Sequence, residues 1–292
     1  MKISYTLRTV IGLFLTSAFL TGCHVREQPA APENAFSEPT NVSLPKPGKC
    51  VTPPSGLVSW WPGDGNAVDI VDNNHGALQN GATFAPGMVG LAFSLDGTDD
   101  YVSIPNLDMN VFSFEAWVKR DRIDVPGFDR LLMSVDCWGW GVYFDGDNTV
   151  RLTYTCYSNV GSGGTVTDFE WHHIAVTYDG FTAYFYLDGT LDSSSPYRVS
   201  FNSQNGGNYS IGSRGASEFF KGLIDEVRVY DRALSGAEIQ AIFAAGSAGM
   251  CKDDGKVTIC HKPGTPAQKT MVIPIQALAA HLGHGDVIGP CP

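Results

Sequence analysis

Residues 172–191 read HHIAVTYDGFTAYFYLDGTL, and this stretch predicts the fold most directly. Two runs rich in aromatic and β-branched residues flank Asp179-Gly180, and Asp188-Gly189 follows the second run. Asp-Gly is a strong signal for a tight hairpin turn, because both residues tolerate positive φ. The stretch therefore predicts two antiparallel strands joined by a hairpin turn, with a further turn after the second strand.

The same alternation of strands and turns continues through most of residues 50–230. In FSFEAWVKR, residues 112–120, every second residue is apolar, as expected for a half-buried strand. In this part of the chain a helix start is predicted at LSGAEIQAIF, residues 234–243, where Ser235 and Glu238 have the spacing of a capping box. These patterns predict an all-β fold, an antiparallel β sandwich closed by one short helix.

Five segments in order carry a family resemblance: GLVSWWPGDGNAVDIVDNNHGAL, AFSLDGTDDYVSIP, FSFEAWVKR, WHHIAVTYDG with the following YLDG, and GLIDEVRVYDRALSGAEIQAIF. Together they resemble a laminin G-like jelly-roll domain of the concanavalin A-like lectin and glucanase fold, from about Gly56 to Ala245. The resemblance implies a jelly-roll sandwich. It does not specify one function, because this fold carries lectins, adhesion modules, hydrolases and spacers.

The first residues predict export and a lipid anchor. Lys2 and Arg8 precede an apolar run over residues 10–20, which is short for a membrane span and typical of a signal peptide. The run ends in LTGC, which resembles a bacterial lipobox. The resemblance implies that residues 1–22 are a lipoprotein signal peptide and that Cys23 is lipidated.

The residues after Cys23 predict a tether and a cell-envelope location. His24 stands where an aspartate would resemble an inner-membrane retention signal, so the outer membrane is favoured. Residues 23–49 are rich in Pro, Ala, Ser and Glu and predict a flexible tether. A laminin G-like domain at residues 50–251 and a small C-terminal Cys/His module at residues 252–292 are expected to follow.

The net charge of the chain limits its partners. The formal charge is −11 without a compensating basic cluster, which argues against nucleic acid and against electrostatic binding to anionic lipid. Membrane attachment is therefore expected through the lipid on Cys23. The expected partner is a glycan or an extracellular or envelope protein.

The cysteines predict three disulfides. Seven cysteines minus Cys23 leave six, and an even number in an exported protein favours pairing. Cys50 and Cys251 lie at the two ends of the jelly roll, which are expected to lie close together. Cys137 and Cys156 flank a predicted hairpin, and Cys260 and Cys291 bracket the tail. The predicted bonds are Cys50–Cys251, Cys137–Cys156 and Cys260–Cys291.

The sequence lacks the catalytic pattern of the best-known enzymes with this fold. Enzymes that resemble laminarinases carry a Glu-x-Asp-x-x-Glu run on one strand, which projects an acid and a nucleophile together. No such run and no GxSxG motif occurs here. We therefore predict that the protein is not an enzyme but a non-catalytic adhesion or recognition module. A glycan-active hydrolase or lyase and a structural envelope spacer are the alternatives.

Trp138 and Trp140 are candidates for ligand binding. In CWGWG they flank one glycine, so strand alternation would place both indoles on the same face. Exposed indoles form flat platforms for sugar rings. The alternative is that both side chains fill the core.

Calcium is a candidate cofactor. In GLIDEVRVY, strict alternation would place Asp225 on the same face as Val227 and Val229 unless a bulge intervenes, and its carboxylate would there need a cation or N–H donors. Proteins resembling this family hold a structural Ca²⁺ where the first loop meets the last strand. Here the first loop supplies Asp69 and Asn74, which can bind calcium through oxygen or can simply form the turn.

The tail contains four candidate metal ligands: His261, His281, His284 and Asp286. The segment resembles a short cysteine-bracketed module at the ends of assorted exported bacterial proteins, and its pattern predicts two strands and a short helix. The first interpretation is a disulfide module with structural histidines, in which zinc is not expected. A His/Asp metal site is the second, and a zinc site using Cys260, His281, His284 and Cys291 is the third.

Overall fold

The structure is a computed structural model that describes residues 50–124, 127–201, 207–252, 256–274 and 277–291. The expected signal peptide, the expected lipidation site at Cys23 and the expected tether of residues 23–49 all lie outside these residues. Within the described part of the chain, no helix is both long and apolar enough to cross a bilayer.

The described chain is built mainly from short strands. In chain order they are β1 (Leu57–Trp61), β2 (Ala77–Gln79), β3 (Thr83–Pro86), β4 (Leu91–Asp96), β5 (Tyr101–Ile104), β6 (Phe112–Arg120), β7 (Asp129–Ser134), β8 (Trp140–Phe144), β9 (Thr149–Tyr154), β10 (Ser158–Thr165), β11 (Trp171–Tyr178), β12 (Thr182–Leu187), β13 (Thr190–Pro196), β14 (Tyr209–Ile211), β15 (Lys221–Tyr230), β16 (Lys256–His261), β17 (Lys269–Pro274) and β18 (Val287–Ile288). The helices are α1 (Gly236–Ala245) and α2 (Leu278–Gly283).

Two antiparallel sheets form the sandwich. The first has the order β13-β12-β11-β6-β15-β4-β3, and β1 pairs with the second half of β15. The second has the order β10-β9-β8-β7-β14-β5-β2. The all-β sandwich predicted from the sequence is confirmed, and the hairpin turns at Asp179-Gly180 and Asp188-Gly189 connect β11, β12 and β13 as expected.

The main core lies between the two sheets. The alternating residues of β6, namely Phe112, Phe114, Ala116 and Val118, all belong to it. The other face of β6 is also buried, however, because helix α1 covers it: Trp117 stacks on Phe243 at 5.6 Å between ring centroids. The expectation that β6 is only half-buried is therefore wrong, since the sequence of the strand does not reveal the helix that packs on it.

Helix α1 begins where the sequence predicts. The side chain of Ser235 accepts the amide of Glu238, and the Glu238 carboxylate accepts the amide of Ser235, which completes the capping box. The helix buries Ile239 and Ile242 against Trp60 on the outer face of the first sheet. This second, smaller core fixes α1 to the sandwich.

Three disulfides join the cysteine pairs expected from the sequence: Cys50–Cys251, Cys137–Cys156 and Cys260–Cys291. The first closes a loop of 201 residues, for which chain entropy predicts a stabilisation of about 5 kcal/mol. The third excludes the zinc site built from two cysteines, because disulfide sulfurs are not thiolate ligands.

The tail forms a three-stranded sheet, β17-β16-β18, with α2 beside it. Ile259, Ile273 and Leu278 are buried together with Val68 of the first loop of the sandwich. The small apolar cluster of the tail is therefore completed by the sandwich.

Candidate functional site

An exposed group of aromatic side chains surrounds the Cys137–Cys156 disulfide. We call Trp138, Tyr154 and Tyr157 the aromatic corner. The disulfide lies where the β8–β9 hairpin continues beyond its named strands: the amide of Trp138 donates to the carbonyl of Thr155 at 3.2 Å. The backbone ladder and the disulfide together fix the base of the corner.

The rings of the aromatic corner contact one another. The ring centroids of Trp138 and Tyr157 lie 4.4 Å apart, and those of Tyr154 and Tyr157 lie 5.2 Å apart. Tyr157 is 56% exposed, while Trp138 and Tyr154 are half-buried. Part of this aromatic surface therefore faces solvent while its rings pack against one another.

The backbone at the aromatic corner is unusual. Trp138 has φ +80° and Cys156 has φ +74°, in the left-handed region that side chains other than glycine rarely adopt. Such conformations cost on the order of 1–3 kcal/mol each and concentrate at binding sites. The disulfide that joins Cys137 to Cys156 holds them in place.

Polar groups border the aromatic corner. The guanidinium of Arg214 donates to Sγ of Cys156 at 3.0 Å. The hydroxyl of Tyr197 donates to the carbonyl of Ser158 at 2.8 Å, beside Tyr157. The corner thus combines flat apolar rings with a cation and hydroxyl groups within a small area.

Trp140, the other predicted platform residue, lies in the core. Its side chain is fully buried, stacks on Phe112 at 4.2 Å between centroids and donates from Nε1 to the carbonyl of Leu107. The prediction of a binding role for Trp140 is wrong. Trp138 lies just before β8 with a left-handed backbone, and its side chain is only half-buried, unlike that of Trp140.

Sequence reasoning missed Tyr157 as a partner of Trp138. The signal was present, because an aromatic residue directly follows each cysteine of the predicted Cys137–Cys156 pair. A disulfide brings the residues next to its two cysteines close together. Predicted disulfides can therefore be searched for aromatic neighbours of this kind.

A buried network of charges lies at the centre of the first sheet. Arg228 on β15 donates from Nη1 to Oε1 of Glu115 on β6 at 2.9 Å, and from Nη2 to Glu226. His173 on β11 contacts the other Glu115 oxygen at 2.9 Å. Arg228 also lies 4.3 Å from the ring centroid of Trp60 on β1. The network links four neighbouring strands.

The charges in this network stabilise one another. Burial alone would raise the pKa of Glu115, but Arg228 and His173 outweigh it, and the pKa lies below its ordinary value. Burial alone would lower the pKa of Arg228, but Glu115 and Glu226 raise it above its ordinary value. Both groups are therefore ionised in the folded protein at neutral pH.

Asp225 lies beside a bulge that the sequence did not predict. Glu226 has φ +56°, and the register between β15 and β6 shifts between Asp225 and Arg228. Val227 and Val229 face the main core. The expectation that Asp225 shares their face through strict alternation is wrong, because the bulge inserts one extra residue.

The surroundings of Asp225 make it an unusual carboxyl group. Its Oδ2 accepts the amide of Val89 at 2.8 Å, and its Oδ1 is buried without a hydrogen-bond partner among the described residues. Burial, together with the nearby charge of Glu226, raises the pKa of Asp225 to about 8. Lys252 lies close by and contacts both Asp64 and Glu226.

The other two predicted calcium ligands have protein partners. Oδ1 of Asp69 accepts the amides of Trp60 and Val71, while its Oδ2 is buried without a partner among the described residues. The side-chain amide of Asn74 donates to Ser59, and the backbone carbonyl of Asn74 accepts the indole N–H of Trp61. Asp69 and Asp225 each keep one buried carboxylate oxygen that could bind a cation.

The tail brings three of its four predicted ligands together. Nδ1 of His261 and Nδ1 of His281 lie 2.8 and 2.6 Å from Oδ2 of Asp286. Hydrogen bonds from His261 and from the amide of Lys262 hold the pKa of Asp286 well below its usual value. His284 is exposed and does not join the group formed by His261, His281 and Asp286.

Comparison with known proteins agrees with the fold. Residues 96–240 match the family model described as the concanavalin A-like lectin/glucanases superfamily. No curated protein matches the chain.

Among solved structures, domain 4 of AbnA, a GH43 extracellular arabinanase from Geobacillus stearothermophilus in complex with arabinotriose, is 19% identical with a TM-score of 0.55, covering 63% of this chain and 96% of that one. Trypanosoma rangeli sialidase in complex with the inhibitor DANA is 19% identical with a TM-score of 0.52, covering 66% of this chain and 33% of that one. The binding domain of Paraclostridial Mosquitocidal Protein 1 is 15% identical with a TM-score of 0.52, covering 74% and 63%. The chain thus spans about a third of the length of the sialidase.

These similarities correct the prediction that the protein is not an enzyme. The fold occurs in chains of an arabinanase and of sialidases, so it is a fold of glycan-active enzymes as well as of binding domains. The missing Glu-x-Asp-x-x-Glu run excludes one catalytic pattern and not glycan chemistry in general. The three disulfides indicate an extracellular or exported protein.

We expect Glu115→Gln to destabilise the protein by about 3 kcal/mol at pH 7, because it leaves the buried Arg228 short of one charge partner. Denaturant unfolding measures this change. The exposed Glu170→Gln is the matched control, and we expect it to change stability by less than about 0.5 kcal/mol.

The difference in stability between the wild type and Glu115→Gln is expected to depend on pH. Because the folded pKa of Glu115 lies below the ordinary value of 4.5, its contribution is present above that pH and is lost as the pH falls through the folded pKa. The stability difference between the wild type and Glu115→Gln should therefore shrink in acid. A difference that stays constant down to the acid transition would contradict the role assigned to Glu115.

Proposed function

We propose that this domain, which has the concanavalin A-like lectin/glucanase fold, binds a neutral glycan at the aromatic corner. The observation that carries the proposal is the exposed contact between Trp138 and Tyr157, whose ring centroids lie 4.4 Å apart beside a disulfide. Pyranose and furanose rings have apolar faces that stack on such surfaces, while their hydroxyls need polar partners at the rim.

The corner is preorganised for binding. Trp138 and the neighbouring Cys156 adopt left-handed backbone conformations that the disulfide and the hairpin maintain. A fixed aromatic surface loses little conformational entropy when a ligand binds, so more of the contact energy remains as affinity. Arg214 beside Cys156 can donate hydrogen bonds to sugar hydroxyls.

Charge favours a neutral glycan over an acidic one. The chain carries a formal net charge of −11, which repels anionic polymers at long range. The complex of the structurally similar arabinanase domain contains arabinotriose, a neutral oligosaccharide, and this supports the choice of arabinotriose as the first probe.

We expect Trp138→Ala and Tyr157→Ala each to weaken binding of the best neutral oligosaccharide at least about fivefold, since each ring contributes on the order of 1 kcal/mol of stacking. A glycan array identifies the oligosaccharide, with arabinotriose included, and calorimetry measures the affinity. Phe181→Ala is the matched control, because Phe181 is also exposed, at 59%, but lies at the turn between β11 and β12.

Two results would contradict this assignment: binding that survives both corner substitutions, or an equal loss in Phe181→Ala. Sugar release is measured in the same samples. Turnover that depends on the corner would make the domain a glycan-active enzyme, whereas binding to a matrix-protein array alone would favour adhesion to protein.

We also propose that the protein is held in the cell envelope by lipid on Cys23, and in the outer membrane if the host has one. The lipobox-like LTGC supports this, together with the proline-rich residues 26–49 that would separate the domain from the bilayer. The disulfides fit the same oxidising compartment.

Labelled palmitate tests the anchor. We expect incorporation into the wild-type protein and into Ser37→Ala, a control in the tether, and no incorporation into Cys23→Ser, which should be released from membranes. Label that persists in Cys23→Ser would show that Cys23 is not the attachment site.

Finally, we propose a structural calcium ion close to Asp225, with Asp69 and Asn74 as further ligands. The support is the buried, unpartnered oxygen that Asp225 and Asp69 each retain among the described residues, since calcium in proteins is bound by carboxylate and carbonyl oxygens. The ion would join the first loop to β15.

We expect calcium to raise the thermal midpoint of the wild type and of Asp99→Asn, and to leave that of Asp225→Asn unchanged, because a ligand that binds only the folded state stabilises it by mass action. Differential scanning calorimetry with calcium or with excess chelator gives the midpoints. Equal midpoints for the wild type in both buffers would rule out the ion.

A further inference from the structure

We infer that His261, His281 and Asp286 form a binding site for a divalent transition metal of the zinc class. The group differs from a chance pair of surface histidines in one respect: both Nδ1 atoms point at the same carboxylate oxygen, Oδ2 of Asp286, at 2.8 and 2.6 Å. The ligand atoms of all three side chains lie within 4.8 Å of one another.

The three ligands come from elements that are cross-linked to one another. His261 ends β16 and follows Cys260, whose disulfide to Cys291 closes the tail. His281 lies on α2, and the amide of Asp286 donates to the carbonyl of His281 at 3.1 Å. Strand β18, directly after Asp286, pairs with β16. The position of each ligand is therefore fixed by backbone or disulfide bonds.

A hydrogen bond to one oxygen of the Asp286 carboxylate orients the other oxygen. Oδ1 of Asp286 accepts the amide of Lys262 at 2.9 Å, which leaves Oδ2 directed at the two imidazoles. A hydrogen bond of this kind to a ligating group typically strengthens metal binding, because it holds the ligand in place. The Asp286 side chain is 1% exposed, whereas those of His261 and His281 are 28% and 24% exposed. An ion can therefore reach the imidazoles from solvent and find the carboxylate beneath them.

The distances are compatible with an ion after a small movement. Ligands of a tetrahedral zinc ion, at about 2.0–2.1 Å from the metal, lie about 3.3 Å apart. The two nitrogen–oxygen contacts would each have to lengthen by roughly 0.5–0.7 Å, which side-chain rotation can supply. The metal then replaces the protons that now lie between the imidazoles and Asp286, and water completes the coordination.

The donor types select the metal. Two imidazoles and one carboxylate suit zinc, cobalt, nickel or copper, whereas calcium and magnesium prefer oxygen alone. A metal would add a cross-link to a module whose buried apolar cluster is small and is shared with Val68 of the sandwich. The sequence favoured structural histidines without zinc, and the convergence on Asp286 is what alters that interpretation.

Calorimetric titration of ZnCl₂ into the purified, chelator-treated full chain tests the site. We expect one high-affinity zinc per chain in the wild type, and an affinity at least tenfold weaker in His261→Gln and in His281→Gln. His284→Gln is the matched control: it removes an exposed histidine three residues from His281, and we expect it to bind zinc like the wild type.

A measurement on the wild type guards against variants that merely unfold the tail. Co²⁺ substituted for zinc should give the visible absorption of a four-coordinate site with nitrogen and oxygen ligands, with the Cys260–Cys291 disulfide intact by peptide mapping. The inference fails if the wild type binds no zinc, if His281→Gln binds as tightly as the wild type, or if His284→Gln loses as much affinity as His281→Gln.

Discussion

The buried ion pair between Arg228 and Glu115 is the interaction on which the arrangement of the first sheet depends. A guanidinium in the interior must have carboxylate partners, because an unpaired buried charge would cost several kcal/mol. Glu115 on β6 and Glu226 on β15 supply them, and Trp60 on β1 covers the guanidinium. Slippage of β15 against β6 by one residue would separate Arg228 from Glu115, so the pair fixes the register of the two central strands.

That register in turn positions the ends of the chain. Strand β15 pairs with β6 on one side and with β4 and β1 on the other, so the first and last strands of the sandwich meet. The Cys50–Cys251 disulfide and helix α1 then close the same region. The loops and hairpin ends of the second sheet, including the aromatic corner, remain accessible on this scaffold. Function in this fold is determined by such grafted surfaces and not by the sandwich itself.

The sequence was sufficient for the parts of the structure that follow from local patterns. Alternating apolar residues and Asp-Gly turns predicted the strands, and the spacing of Ser235 and Glu238 predicted the start of helix α1. Patterns of this kind do not reveal backbone irregularities. The positive φ of Glu226 shifted Asp225 away from its predicted face, and that of Trp138 interrupts the regular strand just before Trp140. Long-range contacts, such as Arg228 with Glu115 across 113 residues, have no local signature.

In the candidate sites, too, the sequence identified individual residues, whereas their contacts depend on the fold. Trp138 was predicted as one of two indoles that flank a glycine, but its contact with Tyr157 depends on the geometry of the hairpin end. In the tail, the sequence supplied the candidate ligands, and only the fold shows that His261 and His281 meet at Asp286 while His284 does not. Similarity to an arabinanase domain and to sialidases at 19% identity supports the fold and leaves the ligand to experiment.

A crystal structure of the protein soaked with the neutral oligosaccharide that binds it most tightly tests the central claim most directly. We expect a sugar ring stacked on Trp138 or Tyr157, with hydroxyl groups within hydrogen-bonding distance of Arg214 and little change in the Cys137–Cys156 hairpin end. Density for the oligosaccharide elsewhere on the sandwich, with the aromatic corner in contact only with solvent at saturating concentration, would contradict it.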